Sequence, residues 1–182
     1  LIVFDKTGTL TRGAFGVVGT ATAAGWDEDR ALALAAAVEG DSEHTIARGI
    51  RASAQEQGLA LPEVSGFEEI KGRGVRAEWD GREVHVGGPR LLESLDISLP
   101  QALAQFEQSA SANGQSVVHL IADGEPVASF ALADVIRQES REAVDRLHAL
   151  GIEVAMLTGD SQAVARTVAE ELGIDTWFAE VL

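Results

Sequence analysis

Twice in this chain a short apolar run breaks off into a polar, glycine-containing turn, and this repeat sharply limits the folds open to it. Residues 1–4 read as a buried strand that stops at Asp5-Lys6-Thr7-Gly8-Thr9, the kind of exit found at the carboxyl edge of a parallel strand. Residues 152–157 form a second such run and stop at Thr158-Gly159-Asp160. Before that run, residues 137–150 carry helical periodicity. After it, residues 161–172 carry it again up to Gly173, and residues 176–179 read as a further strand. This strand–helix succession predicts half of a doubly wound α/β domain assembled from the two ends of the chain.

The middle has a different texture. Helices are predicted near residues 27–40 and 42–57, then closely spaced strands at 64–70, 74–79 and 83–86, with Asp80-Gly81 as a two-residue hairpin turn. Helices follow at 89–95 and 100–112, and a second hairpin pairs 116–122 with 127–132 about Asp123-Gly124. The reading is an inserted α+β domain over residues 12–132, an antiparallel sheet flanked by helices, inside an α/β domain made of 1–11 and 133–182. With 182 residues, 46% of them hydrophobic, both parts can bury a core.

Composition excludes several functions. The net charge of −15 argues against a nucleic-acid partner, because counterion release needs clustered Lys and Arg. Cysteine is absent, so disulfides and thiolate metal sites are excluded. The four histidines are scattered, and no metal site is expected from them. No stretch approaches the about 20 apolar residues that cross a bilayer. No secretory signal opens the chain, and a start at Leu1 leads us to expect an excised fragment.

An aspartate at a buried strand's carboxyl end, followed by Lys, Thr, Gly and Thr, can attack a γ-phosphoryl group and become an acyl phosphate. Asp5 is the candidate nucleophile. Lys6, Thr7, Gly8 and Thr9 offer donors to the equatorial oxygens, and the hydroxyl and N–H groups of Thr158, Gly159 and Asp160 offer a second anchor. A lone Asp-x-Thr-Gly would ordinarily be read as an Asx-turn. The full heptad Asp5-Lys6-Thr7-Gly8-Thr9-Leu10-Thr11, however, matches at every position the phosphorylation signature of P-type ATPases. Met156-Leu157-Thr158-Gly159-Asp160 resembles that family's second phosphorylation motif, with Ser161 where Asn is usual. The resemblance implies a partial haloacid-dehalogenase-like phosphorylation domain using ATP and Mg²⁺. Asp5 and the Thr7 carbonyl would be the metal ligands here, and the family's further Mg²⁺ ligands would lie beyond residue 182. Phosphatases of the same fold place a second Asp two positions after the nucleophile as general acid and base. Thr7 stands there instead, so slow hydrolysis of the acyl phosphate is expected.

In the insert, Glu39 precedes Ser42-Glu43-His44 at a helix start. A lone His at such a position is more often a cap or a surface residue. The stretch nevertheless resembles the Ser-Glu-His-Pro motif of heavy-metal P-type ATPases, in which the His orients ATP and the earlier Glu helps recognise adenine. Thr45 replaces the Pro. Lys71-Gly72-Arg73-Gly74-Val75 resembles the family's nucleotide loop, where missing Cβ atoms let a base or ribose approach. Gly87-Gly88 stands in place of a Gly-Asn pair, which leaves Gly87 as a pocket residue. Trp26, Trp79 and Trp177, and likewise His85, His119 and His148, are read as packing, and Asp134 as a cap for the helix near Arg137.

The resemblance thus implies the cytoplasmic ATP-binding and phosphorylation region of a heavy-metal pump. Its partners would be ATP, a transported ion bound by absent membrane helices, and the actuator and transmembrane domains of the same protein. Phe15-Gly16-Val17 and Thr158-Gly159-Asp160-Ser161 resemble the copper-exporting subgroup, and zinc, cadmium and cobalt are also compatible. The alternatives are a free-standing phosphatase and a non-catalytic nucleotide-binding regulator.

Overall fold

Strand β1 (Ile2–Asp5) pairs in parallel with β8 (Val154–Leu157), which pairs in parallel with β9 (Thr176–Phe178), giving the order β1-β8-β9 in a computed structural model that describes residues 1–181. In this register Phe4, Met156 and Trp177 lie side by side. They face an apolar cluster with Leu10, Val144, Val154, Ala165, Val168 and Leu172, in which each fully buried large side chain contributes roughly 1.5–3 kcal/mol. Helices α5 (Gln138–Ala149) and α6 (Gln162–Leu172) supply the helical half of that cluster. Ser161, the departure from the family's Asn, caps α6 by accepting from the Val164 N–H, and Gly173 ends it in the left-handed region that costs glycine nothing. β8 starts two residues later than expected. Gly151, at φ +71°, and Ile152 belong to the turn after α5, where the Ile152 N–H reaches back to the Leu147 carbonyl.

The second sheet has six strands in the order β2-β7-β6-β5-β4-β3, comprising β2 (Thr11–Thr22), β3 (Ser65–Ile70), β4 (Gly74–Trp79), β5 (Arg82–Gly87), β6 (Ser116–Ala122) and β7 (Glu125–Ile136). The four pairings from β3 to β7 are antiparallel. At both hairpin turns the Asp and the Gly have positive φ, Asp80 +51° with Gly81 +71° and Asp123 +51° with Gly124 +77°, as a turn matched to strand twist requires. Helices α1 (Glu28–Val38) and α2 (Thr45–Glu56) pack on this sheet, and α3 (Pro89–Leu95) and α4 (Gln101–Ala112) complete the helical set. The core runs through Leu34, Val38, Ile50, Val84, Leu120, Phe130 and Leu132, all essentially buried.

Contacts divide the chain into two units, one of Leu1–Ala14, Ala112–Gln115 and everything from Asp134 onward, the other of Phe15–Ser111 and Ser116–Ala133. Strand β2 goes beyond the sequence expectation. Gly13, Gly16 and Gly19 interrupt its alternation, and Gly13 takes φ +69°. Gly49 of α2 lets the helix sit against the Phe15 carbonyl, which a Cβ would meet at 2.8 Å. Trp26 and Trp79, distant in sequence, stand 6.2 Å apart with Arg30 over both rings. Among the described residues no helix is long and apolar enough to cross a membrane.

Candidate catalytic and nucleotide-binding sites

Parallel pairing sets Asp5 opposite Leu157, so the two polar turns begin side by side at one edge of the three-stranded sheet. Asp5 is exposed, and its carboxylate makes no hydrogen bond or ion pair with the described residues. Beyond it, Gly8 takes φ +79° with nothing near its missing Cβ, so it is the backbone turn at that point that calls for glycine. Lys6 is buried, its Nζ 3.0 Å from Asp134 Oδ2 and 2.9 Å from Asp160 Oδ2. Burial alone would lower its pKa, but the hydrogen bonds to Asp160 and Asp134 outweigh that and hold it above the ordinary lysine value. Thr158 is buried, and its Oγ1 accepts from the Asp160 backbone N–H at 3.1 Å, which fixes the backbone of that turn. Thr7 and Gly159 are near the surface of the same turns.

Asp134 does something other than cap a helix. The N-cap of α5 is Arg137, and it makes no side-chain capping bond. Asp134 instead accepts from Lys6 Nζ, from the Thr11 hydroxyl at 2.6 Å and from the Ala14 N–H at 3.2 Å. The buried Lys6 ammonium is thereby held between two carboxylates, Asp134 and Asp160. His148 also differs from its packing assignment, since its Nε2 lies 2.9 Å from Asp175 Oδ2.

In the second unit, Glu39, His44, Gly72, Gly74 and Gly87 line one cleft of about 310 Å³, together with Ser42, Glu69, Arg73 and Gly88. Glu43 and Lys71 are exposed and do not line it. Glu39 follows α1 as its C-cap and is 5% exposed. Burial pushes its carboxyl up to about 7, with the Ser42 hydrogen bond and the Arg51 charge pulling it part of the way back. Its Oε2 is buried without a hydrogen-bond partner. His44 is the exposed N-cap of α2 and makes no side-chain capping bond, which leaves its imidazole uncommitted. Gly74 and Gly87 are cross-strand partners. A Cβ on Gly74, at φ +155°, would collide with the Val86 carbonyl, and one on Gly87 would collide with the Arg73 carbonyl and Leu91. Their lack of side chains therefore serves strand crossing at the cleft wall first, and close approach of a ligand second.

Sequence reasoning misses Arg73, the variable residue of a Gly-x-Gly. A cation flanked by two glycines, in a chain of net charge −15, is the signal that could have found it. Arg51 carries no local signal, since its partners lie 9 and 12 positions earlier: its Nη1 donates to the Glu39 carbonyl and to the Ser42 carbonyl at 2.7 Å.

The haloacid dehalogenase-like hydrolase family matches residues 1–182. This chain belongs to that family. Within the haloacid dehalogenase-like hydrolases its relatives are P-type ATPases of the heavy-metal class. It is 44% identical over 181 residues to copper-exporting P-type ATPase B of Archaeoglobus fulgidus, covering 100% of this chain and 26% of that protein. It is 41% identical over 181 residues to the probable copper-exporting P-type ATPase V of Mycobacterium tuberculosis, covering 100% of this chain and 24% of that one. The crystal structure of a zinc-transporting PIB-type ATPase superposes with a TM-score of 0.84 at 33% identity, covering 99% of this chain and 29% of that one. The chain spans about a quarter of the length of the curated relatives it matches. The family resemblance drawn from the motifs, and the haloacid-dehalogenase-like fold it implied, both hold.

Proposed function

We propose that this chain is the nucleotide-binding and phosphoryl-accepting region of a copper-transporting P-type ATPase, working at the cytoplasmic face of a membrane through an aspartyl-phosphate intermediate. The observation that supports it most is the gathering of Glu39, His44, Gly72, Gly74 and Gly87 around one cleft. Copper is favoured because both curated relatives above are named as copper-exporting. The ion itself would be selected by membrane helices, and the actuator domain of the same protein would complete the cycle.

The cleft is suited to an adenine nucleotide. A buried carboxyl with an unpaired oxygen repels phosphate and accepts from an amine, so the base belongs at Glu39. The His44 imidazole can stack on or hydrogen-bond the ring. The phosphates would run toward Arg73. In the transfer step a carboxylate oxygen of Asp5 attacks the γ-phosphorus in line, and a new O–P bond forms. The bond from that phosphorus to the β,γ-bridging oxygen breaks, its electron pair leaving with ADP. Lys6 and the Thr158 hydroxyl stand beside this edge as donors. Thr7 offers no carboxylate to activate water, which favours a lasting acyl phosphate over a phosphatase reaction. The described residues do not by themselves make a Mg²⁺ site: no three Asp, Glu, His or Cys side chains among them gather to hold a metal, and Asp5 with the Thr7 carbonyl would need further ligands.

The test is incorporation of label from γ-labelled ATP into the full-length protein. Wild type should carry acid-stable, hydroxylamine-sensitive label and Asp5→Asn none; equal labelling of the two would remove Asp5 from the mechanism.

A further inference from the structure

We infer that Arg51 is a positioning residue for nucleotide binding: by clamping the carbonyls of Glu39 and Ser42, it holds the 39–44 loop so that Glu39 and His44 present one binding edge to the base. The inference rests on the adenine-nucleotide reading above and extends it to a side chain outside the cleft lining.

The loop needs such a clamp for a definite reason. Helix α1 ends at Val38, and the carbonyls of a helix's last turn have no intrahelical partners. The chain then crosses to α2 within a few residues, and the backbone bonds in the crossing are local: Glu39 N–H to the Ala35 carbonyl, Gly40 N–H to the Ala37 carbonyl and Ser42 N–H to the Glu39 carbonyl. None of these ties residues 39–42 to α2, whose first bond runs from the Arg48 N–H to the His44 carbonyl. Arg51 does, because it stands seven positions after His44 and therefore on the same face of α2. Its Nη1 reaches both the Glu39 and the Ser42 carbonyls, and charge-assisted bonds of this kind are about twice as strong as neutral ones. His44, whose own N–H points at Ser42 Oγ at 3.4 Å and whose carbonyl accepts from the Arg48 N–H, joins the clamped segment to α2. The guanidinium also offsets the charge of the Glu39 carboxyl, so one side chain orders the loop and makes a buried acid tolerable beside it.

Calorimetric titration of the 182-residue chain with AMP, ADP and a non-hydrolysable ATP analogue separates the possibilities. Arg51→Leu should weaken all three by the same factor, about tenfold, as expected for losing one net charge-assisted hydrogen bond that never touches phosphate. Arg51→Lys should recover part of the loss, since an ammonium can reach one of the carbonyls. Wild-type affinity in Arg51→Leu overturns the inference, as does a loss that grows with the number of phosphates, which would make Arg51 a direct phosphate ligand. If Arg51→Leu does not fold, Arg51→Lys and Arg51→Gln decide: both should fold and bind more weakly than wild type, Lys less so, and wild-type binding by Gln overturns the clamp. Failure of the nucleotide reading looks different. Wild type would then bind none of the three ligands, and the inference would fall with it.

Discussion

At the scale of single residues, the two sites are organised by how few cations serve many carboxylates. Lys6 is shared by Asp134 and Asp160, and Arg51 is committed to carbonyls. Arg73 has no ion-pair partner among the described residues and lines the cleft. On the proposed nucleotide reading, it is therefore the cleft-lining cation left to meet the phosphates. Replacing it by Ala should leave AMP binding nearly unchanged and weaken the ATP analogue about five- to tenfold, with the gap narrowing in high salt as screening removes the charge term. Titrations at two ionic strengths check this. The Asp5 heptad was legible in the sequence because its parts are contiguous. The turn carrying Asp160 was legible too, but Asp134 as a partner of Lys6 was not, since it lies 128 positions away.

At the scale of elements, the cleft wall is set by the pairing of β4 with β5 and the loop by the pairing of α1 with α2. The register Gly74↔Gly87 brings two backbones closer than a Cβ permits. Gly74→Ala should destabilise the second unit by roughly 2–4 kcal/mol, through a steric clash and a left-region φ that alanine tolerates poorly. It should lower the midpoint of urea unfolding even without ligand, and a wild-type midpoint would show that the strand ends simply part. Hairpins and helices were largely readable, because Asp-Gly turns, caps and periodicity are local signals. β2 was hidden, because its three glycines break the alternation by which a strand is read from sequence, and its pairing with β7 is set by residues more than a hundred positions away.

At the scale of the whole molecule, two buried groups set opposite dependences of stability on pH. Glu39 rises from 4.5 to about 7 through burial, so the folded state holds its proton longer than the unfolded chain. Its contribution to stability is present below about pH 4.5 and is lost as pH rises to about 7, by roughly 3 kcal/mol in all. His119, fully buried with Nδ1 2.9 Å from Ser129 Oγ, falls from 6.5 to about 4 through burial. The unfolded chain takes up that proton first, so stability is lost as pH falls from about 6.5 to about 4. The two slopes oppose each other over most of their range. Glu39→Gln should therefore melt higher than wild type at about pH 8, and its advantage should shrink to nothing near pH 4. Melting curves at several pH values check the sign, and an advantage that is the same at both ends of this range would exclude titration of Glu39 as its cause.

What the sequence determined by itself was whatever depends on neighbours along the chain: the strand-end aspartate, the Asp-Gly hairpins, the amphipathic helices, and the motifs that place the chain among P-type ATPases. Tertiary structure alone decided which carboxylates neutralise Lys6, that Arg51 fastens the loop before His44, and that Arg73 lines the cleft while Lys71 does not. These depend on distances between segments separated in sequence. Hydrogen bonds and ion pairs act over a few ångströms of space, and no spacing of letters records that distance until the sheets have closed.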